Sequence, residues 1–129
     1  MSQPAAGAIV YAKDIVRVSR FYAEVAGLEI VHEVADHVVL ESDAVELVIV
    51  QIPPAIAERI VIATPPERRE NTAVKLVFWV ADLARARADA HSAGGELNPA
   101  DKEWTFQGTR VCDGHDPEGN VVQLRQLAE

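Results

Sequence analysis

The chain has 129 residues, of which 49% are hydrophobic and 25% are charged, and its net charge is −8. This length predicts one domain with a buried core, and no apolar run approaches the roughly 20 residues that a membrane span requires. The negative charge argues against nucleic acid or anionic lipid as a partner, and it fits either a cationic ligand or simple solubility. The single cysteine, Cys112, excludes an internal disulfide framework, and the N-terminus lacks the basic start of a secretory signal, so we expect a cytoplasmic protein.

Residues 7–51 are predicted to form a first βαβββ unit. A short apolar strand at 8–12 leads to Asp14, which offers a side-chain N-cap for a helix, and Gly27 is expected just past the end of that helix. The helix carries five apolar residues on one face: Ile15, Val18, Phe21, Tyr22 and Val25. Three further strands follow, at 29–34, 37–41 and 45–51.

Residues 52–73 are the least regular part of the sequence. Pro-Pro pairs at 53–54 and 65–66 bracket a short segment, Arg59–Ile62, which is a candidate edge strand. The mixed charges of residues 67–71 are typical of an exposed loop. We therefore predict a linker between two halves of the chain.

The pattern then repeats in residues 74–126, for which a second βαβββ unit is predicted. Asp82 offers an N-cap between a strand at 74–80 and a helix at 83–93. The remaining strands are expected at 104–106, 109–113 and 121–126. Asp82 lies 68 residues after Asp14, and Gly95 lies 68 residues after Gly27. This constant offset indicates an internal duplication.

The last predicted hairpin contains the turn Asp116-Pro117-Glu118-Gly119. An Asp that can bond the backbone two residues on, a Pro that fixes φ and a closing Gly are typical of a type I turn. In the strand that follows, Val122 and Leu124 alternate with Val121, Gln123 and Arg125. This alternation predicts that one face of the strand packs in the core and that the other face lines a solvent-accessible surface.

Together, these features resemble the vicinal-oxygen-chelate superfamily, which includes glyoxalase I, bleomycin-resistance proteins and extradiol dioxygenases. The residues that carry the resemblance are Val10–Asp14, Phe21-Tyr22 before Gly27-Leu28, Val45–Leu47, Phe78–Leu83 and Asp116–Asn120. The resemblance spans the chain from Ala8 to Gln126. It implies an α+β fold in which two tandem βαβββ modules form a curled sheet around a cleft.

In the enzymes of this superfamily the cleft holds a divalent metal, bound by His, Glu or Gln side chains from four strands. The resemblance places these positions at Gly7, Glu46, Lys75 and Gln123. Gly7 has no side chain, and the ammonium group of Lys75 donates hydrogen bonds but does not accept them. Because a transition metal needs three or four convergent ligands, we predict no metal site and no cofactor.

The four histidines are not expected to replace these ligands. His32 and His37 flank a predicted turn, His91 lies late in a helix and His115 lies beside the last turn. None is predicted to share a face with Glu46. Cys112 has no neighbouring motif that marks a nucleophile, and we expect it to be buried and structural.

Strand alternation and the family's inward face predict seven ligand-binding residues: Tyr11, Glu46, Lys75, Trp79, Trp104, Gln123 and Arg125. Apolar surface with a few separated polar groups is typical of small-molecule sites. Two alternatives stay open here: Lys75 and Glu46 can simply pair with each other, and Trp104 can cover the core instead of joining the cleft. Trp79 is predicted to stack on the ligand, whereas a one-residue shift in register would turn it inward and expose Phe78.

These residues predict a metal-free protein of the glyoxalase/bleomycin-resistance type that binds a small molecule, a drug or metabolite, and sequesters it. The alternative is an enzyme: a lyase, isomerase or ring-cleaving dioxygenase with an atypical metal site, or a metal-free enzyme with Glu46 as general base beside Lys75. A third class is a scaffold or regulatory subunit with an empty cleft. The resemblance also implies a homodimer in which each cleft is closed by residues of both chains.

Overall fold

The computed structural model describes residues 3–127, which form two sheets and the helices that cover them. The strands are β1 (Ala6–Ala12), β2 (Glu29–Val34), β3 (His37–Glu41), β4 (Val45–Gln51), β5 (Leu76–Trp79), β6 (Glu96–Leu97), β7 (Trp104–Phe106), β8 (Thr109–His115) and β9 (Val121–Leu127). The helices are α1 (Ile15–Ala26), α2 (Pro54–Ala57) and α3 (Leu83–Ser92), with a 3₁₀ turn at Ala100–Lys102. This order confirms the α+β class and the two tandem βαβββ modules.

The two sheets repeat one topology. The first sheet has the strand order β1-β4-β3-β2, and β1 runs parallel to β4 while the other pairs are antiparallel. In the second sheet β5 runs parallel to β9, and β9 pairs with β8 in the antiparallel sense. The same parallel pairing of a module's first and last strands supports the predicted duplication.

The second module differs from the first because its second strand is interrupted. Strands β6 and β7 both pair with β8, at opposite ends of it, and residues 98–103 leave the sheet between them. Pro99 has no N–H for the ladder. The excursion is held by Arg87, whose Nε donates to the carbonyl of Asn98 at 2.8 Å and whose guanidinium pairs with Glu103. The sequence pattern predicted β7 but not β6.

Both predicted helix caps are confirmed. Asp14 Oδ1 accepts a hydrogen bond from the Arg17 amide at 3.1 Å, and Asp82 Oδ1 accepts one from the Ala84 amide at 2.9 Å. Gly27 ends α1 in the left-handed conformation, with a φ of 73°. None of the helices between residues 3 and 127 has both the length and the apolar character to cross a membrane.

The end of α3 departs from the predicted repeat. The left-handed residue is Gly94, with a φ of 90°, and not Gly95. Gly95 is instead required by packing, because a Cβ there would lie 2.4 Å from the Phe21 ring. The offset of 68 residues therefore holds for the start of the helices but not for their ends.

The linker of residues 52–73 contains no strand. Arg59–Ile62, the candidate edge strand, runs as irregular chain after the short helix α2, and Lys13 Nζ bonds the carbonyl of Ile60. The one ladder contact of the linker is an isolated bridge between Arg69 and Asn120. The prediction of an edge strand at 59–62 is wrong.

One hydrophobic core joins both modules, because α1 and α3 pack against each other as well as on their own sheets. The core includes the predicted stripe of α1 together with Leu40, Leu47, Ile49, Leu83, Ala86, Ala90, Cys112, Val122 and Leu124. The side of each sheet that faces away from this core is called its outer face. Candidate ligand-binding residues must lie on the outer faces.

The turn at Asp116–Gly119 also joins the modules. The Gly119 amide donates to the Asp116 carbonyl at 3.0 Å, which closes the turn, and Gly119 has a φ of 85°, which glycine adopts without steric cost. The buried carboxylate of Glu118 accepts hydrogen bonds from the backbone amides of Lys13 and Asp14, at 2.8 and 2.7 Å. The last turn of the second module thus fixes the entry of α1 in the first.

Candidate ligand-binding site

The outer face of the second sheet carries a group of exposed aromatic side chains around a cation. The strand register places Trp104, Val111, Arg125 and Trp79 in one row across β7, β8, β9 and β5. Trp79 is 57% exposed, and Trp104 is 42% exposed. Phe106 lies one row further along and is 43% exposed. These four residues, Trp79, Trp104, Phe106 and Arg125, are called the aromatic face.

Arg125 is the centre of the aromatic face. Its guanidinium carbon lies 5.2 Å from the centroid of the Trp79 ring and 5.1 Å from the centroid of the Phe106 ring. Both distances are within the roughly 6 Å at which a cation is attracted by the face of an aromatic ring. The two rings therefore hold the guanidinium in place on the sheet.

A series of polar contacts between side chains of the second sheet holds Arg125 in position. Its Nε donates to Gln123 Oε1 at 2.8 Å, and Gln123 Nε2 donates to Asp113 Oδ1 at 3.1 Å. Lys75 Nζ lies 3.1 Å from Asp113 Oδ2. Lys75 thus pairs with Asp113, and the alternative in which it pairs with Glu46 is wrong. Sequence reasoning did not identify Asp113, although it lies two residues after Val111 on β8 and therefore shares the outer face with it.

The outer face of the first sheet is acidic. The register aligns Glu29, Glu41 and Glu46 across β2, β3 and β4, and these three residues are called the glutamate row. Gly7 of β1 lies beside Glu46 at the end of the row, and Tyr11, on the same face, is 61% exposed. Of the glutamate row, sequence reasoning identified only Glu46.

Two histidines also lie on this face, contrary to prediction. His32 pairs with Val39, which pairs with Val48, and Val48 is on the same face as Glu46. His37 lies one row further on, and the two imidazole centroids are 5.5 Å apart. The register of β2, which contains a bulge near Ile30, could not be derived from the sequence pattern.

The four positions of the superfamily's metal ligands do not fit a divalent metal in this chain. Gly7 has no donor atom, and Lys75 is ion-paired with Asp113. The oxygen of Gln123, which is the atom that would bind a metal, already accepts a hydrogen bond from Arg125. Within residues 3–127, no group of three or more His, Cys, Asp or Glu side chains is arranged to hold a metal ion.

The two remaining polar candidates are structural. His115 is buried, and its Nδ1 lies 2.9 Å from the carbonyl oxygen of Asp116. His115 lies beside the last turn as predicted, but it is buried and not at the surface. Cys112 is buried as predicted, and burial raises the pKa of its thiol although Arg87 opposes the shift. A buried thiol with a raised pKa is a poor nucleophile.

Three surface cavities lie next to candidate ligand-binding residues. One, of about 560 Å³, runs between the edge strands β1 and β5 and is lined by Tyr11, Ile9, Val74 and Leu76 among others. A second, of about 320 Å³, is lined by Lys75, Asp113 and Arg68. Glu46 lines a third cavity with residues 3–7.

The structure thus brings five of the seven predicted residues together and separates the other two. Lys75, Trp79, Trp104, Gln123 and Arg125 share the outer face of the second sheet. Tyr11 and Glu46 share the outer face of the first. Trp104 and Trp79 are both exposed, so neither covers the core, and Phe78 packs inward near Tyr22.

Solved structures with the same fold cover nearly the whole chain. A glyoxalase/bleomycin resistance protein/dioxygenase family enzyme from Burkholderia phytofirmans PsJN superposes with a TM-score of 0.67 at 20% identity, over 97% of this chain and 99% of that one. TnmS3, an antibiotic binding protein from Streptomyces sp. CB03234, gives 0.62 at 19% identity, over 99% and 98%. The fosfomycin resistance protein FosX from Mesorhizobium loti gives 0.61 at 15% identity, over 97% and 91%.

At these identities the structural likeness shows the fold alone. No curated protein matches the chain by sequence. The profile of a protein family, described as a glyoxalase-like domain, matches residues 8–125. That match covers nearly all of both modules, the linker and every residue of the aromatic face, and it shows that the chain belongs to the glyoxalase-like domain family.

Proposed function

We propose that this protein binds a small molecule on its outer faces and sequesters it without chemical conversion. The observation that carries the proposal is the aromatic face, where three large rings remain exposed around a fixed guanidinium. Aromatic side chains supply much contact area for little conformational entropy and tend to dominate binding energies. A drug or metabolite with a planar ring is the ligand class that such a surface suits.

The polar residues support binding in preference to catalysis. A metal-free enzyme would need Glu46 as a base beside Lys75, whereas Lys75 is bonded to Asp113 of the second sheet and Glu46 lies on the first. Gln123 instead holds Arg125 directly, and Asp113 links Gln123 to Lys75, while Tyr11 and Glu46 offer a second, separate contact surface. The fold neighbour TnmS3 is an antibiotic binding protein, which agrees with this role.

The proposal includes a homodimer. Large apolar side chains remain exposed on the outer faces of both sheets, among them Ile9, Tyr11, Trp79 and Trp104, and closed two-fold dimers are the commonest oligomers of soluble proteins. A second copy that covered the aromatic face would close the site over Trp79 with residues of both chains. We also propose a cytoplasmic location, which the unpaired Cys112 thiol supports.

The test is a ligand screen on a Trp104→Phe background, so that Trp79 is the one tryptophan left. Compounds with planar rings are titrated while tryptophan fluorescence is recorded, and the mixtures are then analysed by mass spectrometry. We expect saturable quenching and recovery of each bound compound unchanged. Conversion of a bound compound to product would contradict sequestration, and a monomer by light scattering at micromolar concentration would contradict the dimer.

A further inference from the structure

We propose that the ligand of the aromatic face is an anion, a carboxylate carried on a planar ring, and that Arg125 is the residue that recognises it. This inference rests on the proposed binding function and adds the chemical class of the ligand. It is based on the way Arg125 is held, on the charge around it and on the shape of its guanidinium.

The first observation is that Arg125 is fixed by contacts that leave its outer end free. The Nε atom donates to Gln123, and the guanidinium carbon lies over the rings of Trp79 and Phe106. Among residues 3–127, no hydrogen bond is made by the two terminal nitrogens of Arg125, and no Asp or Glu carboxylate lies within 4.0 Å of them. The fork of four terminal N–H groups is therefore available to a ligand.

The second observation is that the charge on this network does not balance. Lys75 and Arg125 each contribute a positive charge, and Asp113 contributes one negative charge, which its contact with Lys75 already compensates. One positive charge is left at Arg125, on a chain whose net charge is −8. Elsewhere, Arg87 and Arg110 both bind Glu103, so the structure does pair arginines where their role is structural.

The chemistry of the guanidinium selects the ligand group. Its planar fork matches the two oxygens of a carboxylate and forms two parallel charge-assisted hydrogen bonds. The flanking rings of Trp79 and Trp104 are placed on either side of Arg125 in the strand row. A ring attached to the carboxylate can stack on one of them while its oxygens meet the fork. An aromatic carboxylate can therefore bind the guanidinium of Arg125 and an exposed aromatic ring at the same time.

The test compares naphthoate with naphthamide, which have the same ring and differ in charge. In protein with the Trp104→Phe substitution, we expect naphthoate to quench Trp79 with a dissociation constant at least about tenfold lower than that of naphthamide, because hydrogen bonds between charged groups are roughly twice as strong as neutral ones. The added variant Arg125→Gln should bring the ratio of the two constants to about one. Arg59→Gln, which removes an exposed linker arginine of equal charge, should keep the ratio.

The outcomes separate this inference from the proposed function. Equal affinity for the acid and the amide would overturn the anion class while leaving a small-molecule site in place. Quenching by neither compound would count against both. If Arg125→Gln instead weakens the dimer and the acid shows no preference, the guanidinium pairs with a glutamate of the second copy, and the inference is overturned. Melting temperatures of both variants are measured to confirm that they are folded.

Discussion

The hydroxyl of Tyr22 donates a hydrogen bond to Asp116 Oδ2 at 2.8 Å and joins the first helix of one module to the last turn of the other. Both residues are buried, and the Asp116 carboxylate accepts three further hydrogen bonds, from the amides of Glu118 and Asn120 and from the Asn120 side chain. With Glu118 bound to the start of α1, the turn fixes the position of the two modules relative to each other. The outer faces that carry the candidate site depend on this contact.

Tyr22→Phe should therefore destabilise the fold. The substitution keeps the ring in the core but removes one donor from a buried carboxylate, and Asn120 Nδ2 still bonds the same oxygen. We expect the free energy of unfolding to fall by about 1–2 kcal/mol, as measured by urea denaturation. Tyr11→Phe is the matched control: Tyr11 is exposed, so that loss of its hydroxyl should change stability by less than about 0.5 kcal/mol. Equal effects of the two substitutions would contradict the role of this hydrogen bond.

The buried phenol of Tyr22 should also make the fold less stable at alkaline pH. Burial raises the pKa of Tyr22 well above its ordinary value of 10.0, and the neighbouring Asp116 charge raises it further. The folded state thus holds its proton where the unfolded state loses it, so the contribution of Tyr22 to stability is complete below pH 10 and declines as the pH rises above it. The decline approaches about 1.4 kcal/mol for each pH unit.

Urea denaturation at a series of values from about pH 9 to pH 11 measures this decline, and Tyr22→Phe is the control because it has no phenol to titrate. All other ionisable groups are common to both proteins, so the comparison isolates the Tyr22 phenol. The difference in stability between them should shrink as the pH rises. A difference that stays constant across this range would show that Tyr22 does not titrate differently in the two states.

Local features of this fold could be predicted from the sequence, whereas cross-strand features could not. The caps at Asp14 and Asp82 follow from an Asp directly before each helix, and the buried stripe of α1 follows from helical spacing. The choice between Gly94 and Gly95 at the end of α3 depends on the Phe21 ring, which is distant in sequence. In the site, alternation placed Trp79 and Arg125 on the correct face. The partner of Lys75 required the register of β8 against β9, which no local pattern determines.

We expect the purified protein to contain no stoichiometric transition metal. The reason is the set of donor atoms: Gly7 supplies none, and the Gln123 oxygen and the Lys75 amine are already bonded to Arg125 and Asp113. Elemental analysis measures the content directly, and melting temperatures in the presence of Ni²⁺, Zn²⁺, Mn²⁺ or Fe²⁺ test for added metal. One tightly bound ion per chain would reverse this prediction and favour an enzyme with an unorthodox site.

The last prediction separates the two faces of β5. Trp79 is exposed on the outer face, and its neighbour Phe78 packs inward with its ring centroid 5.8 Å from that of Tyr22. Trp79→Ala should therefore cost about 1 kcal/mol of stability or less, mostly the lost contact with Arg125. Phe78→Ala removes part of the core and should cost about 3 kcal/mol. Urea denaturation of both variants measures these values.

Trp79→Ala should also weaken the binding of naphthoate by about 1–3 kcal/mol. This binding is measured by calorimetry, because the substitution removes the tryptophan whose fluorescence reports binding. A collapse in stability for Trp79→Ala together with unchanged affinity would mean that Trp79 serves the core and that the ligand binds elsewhere.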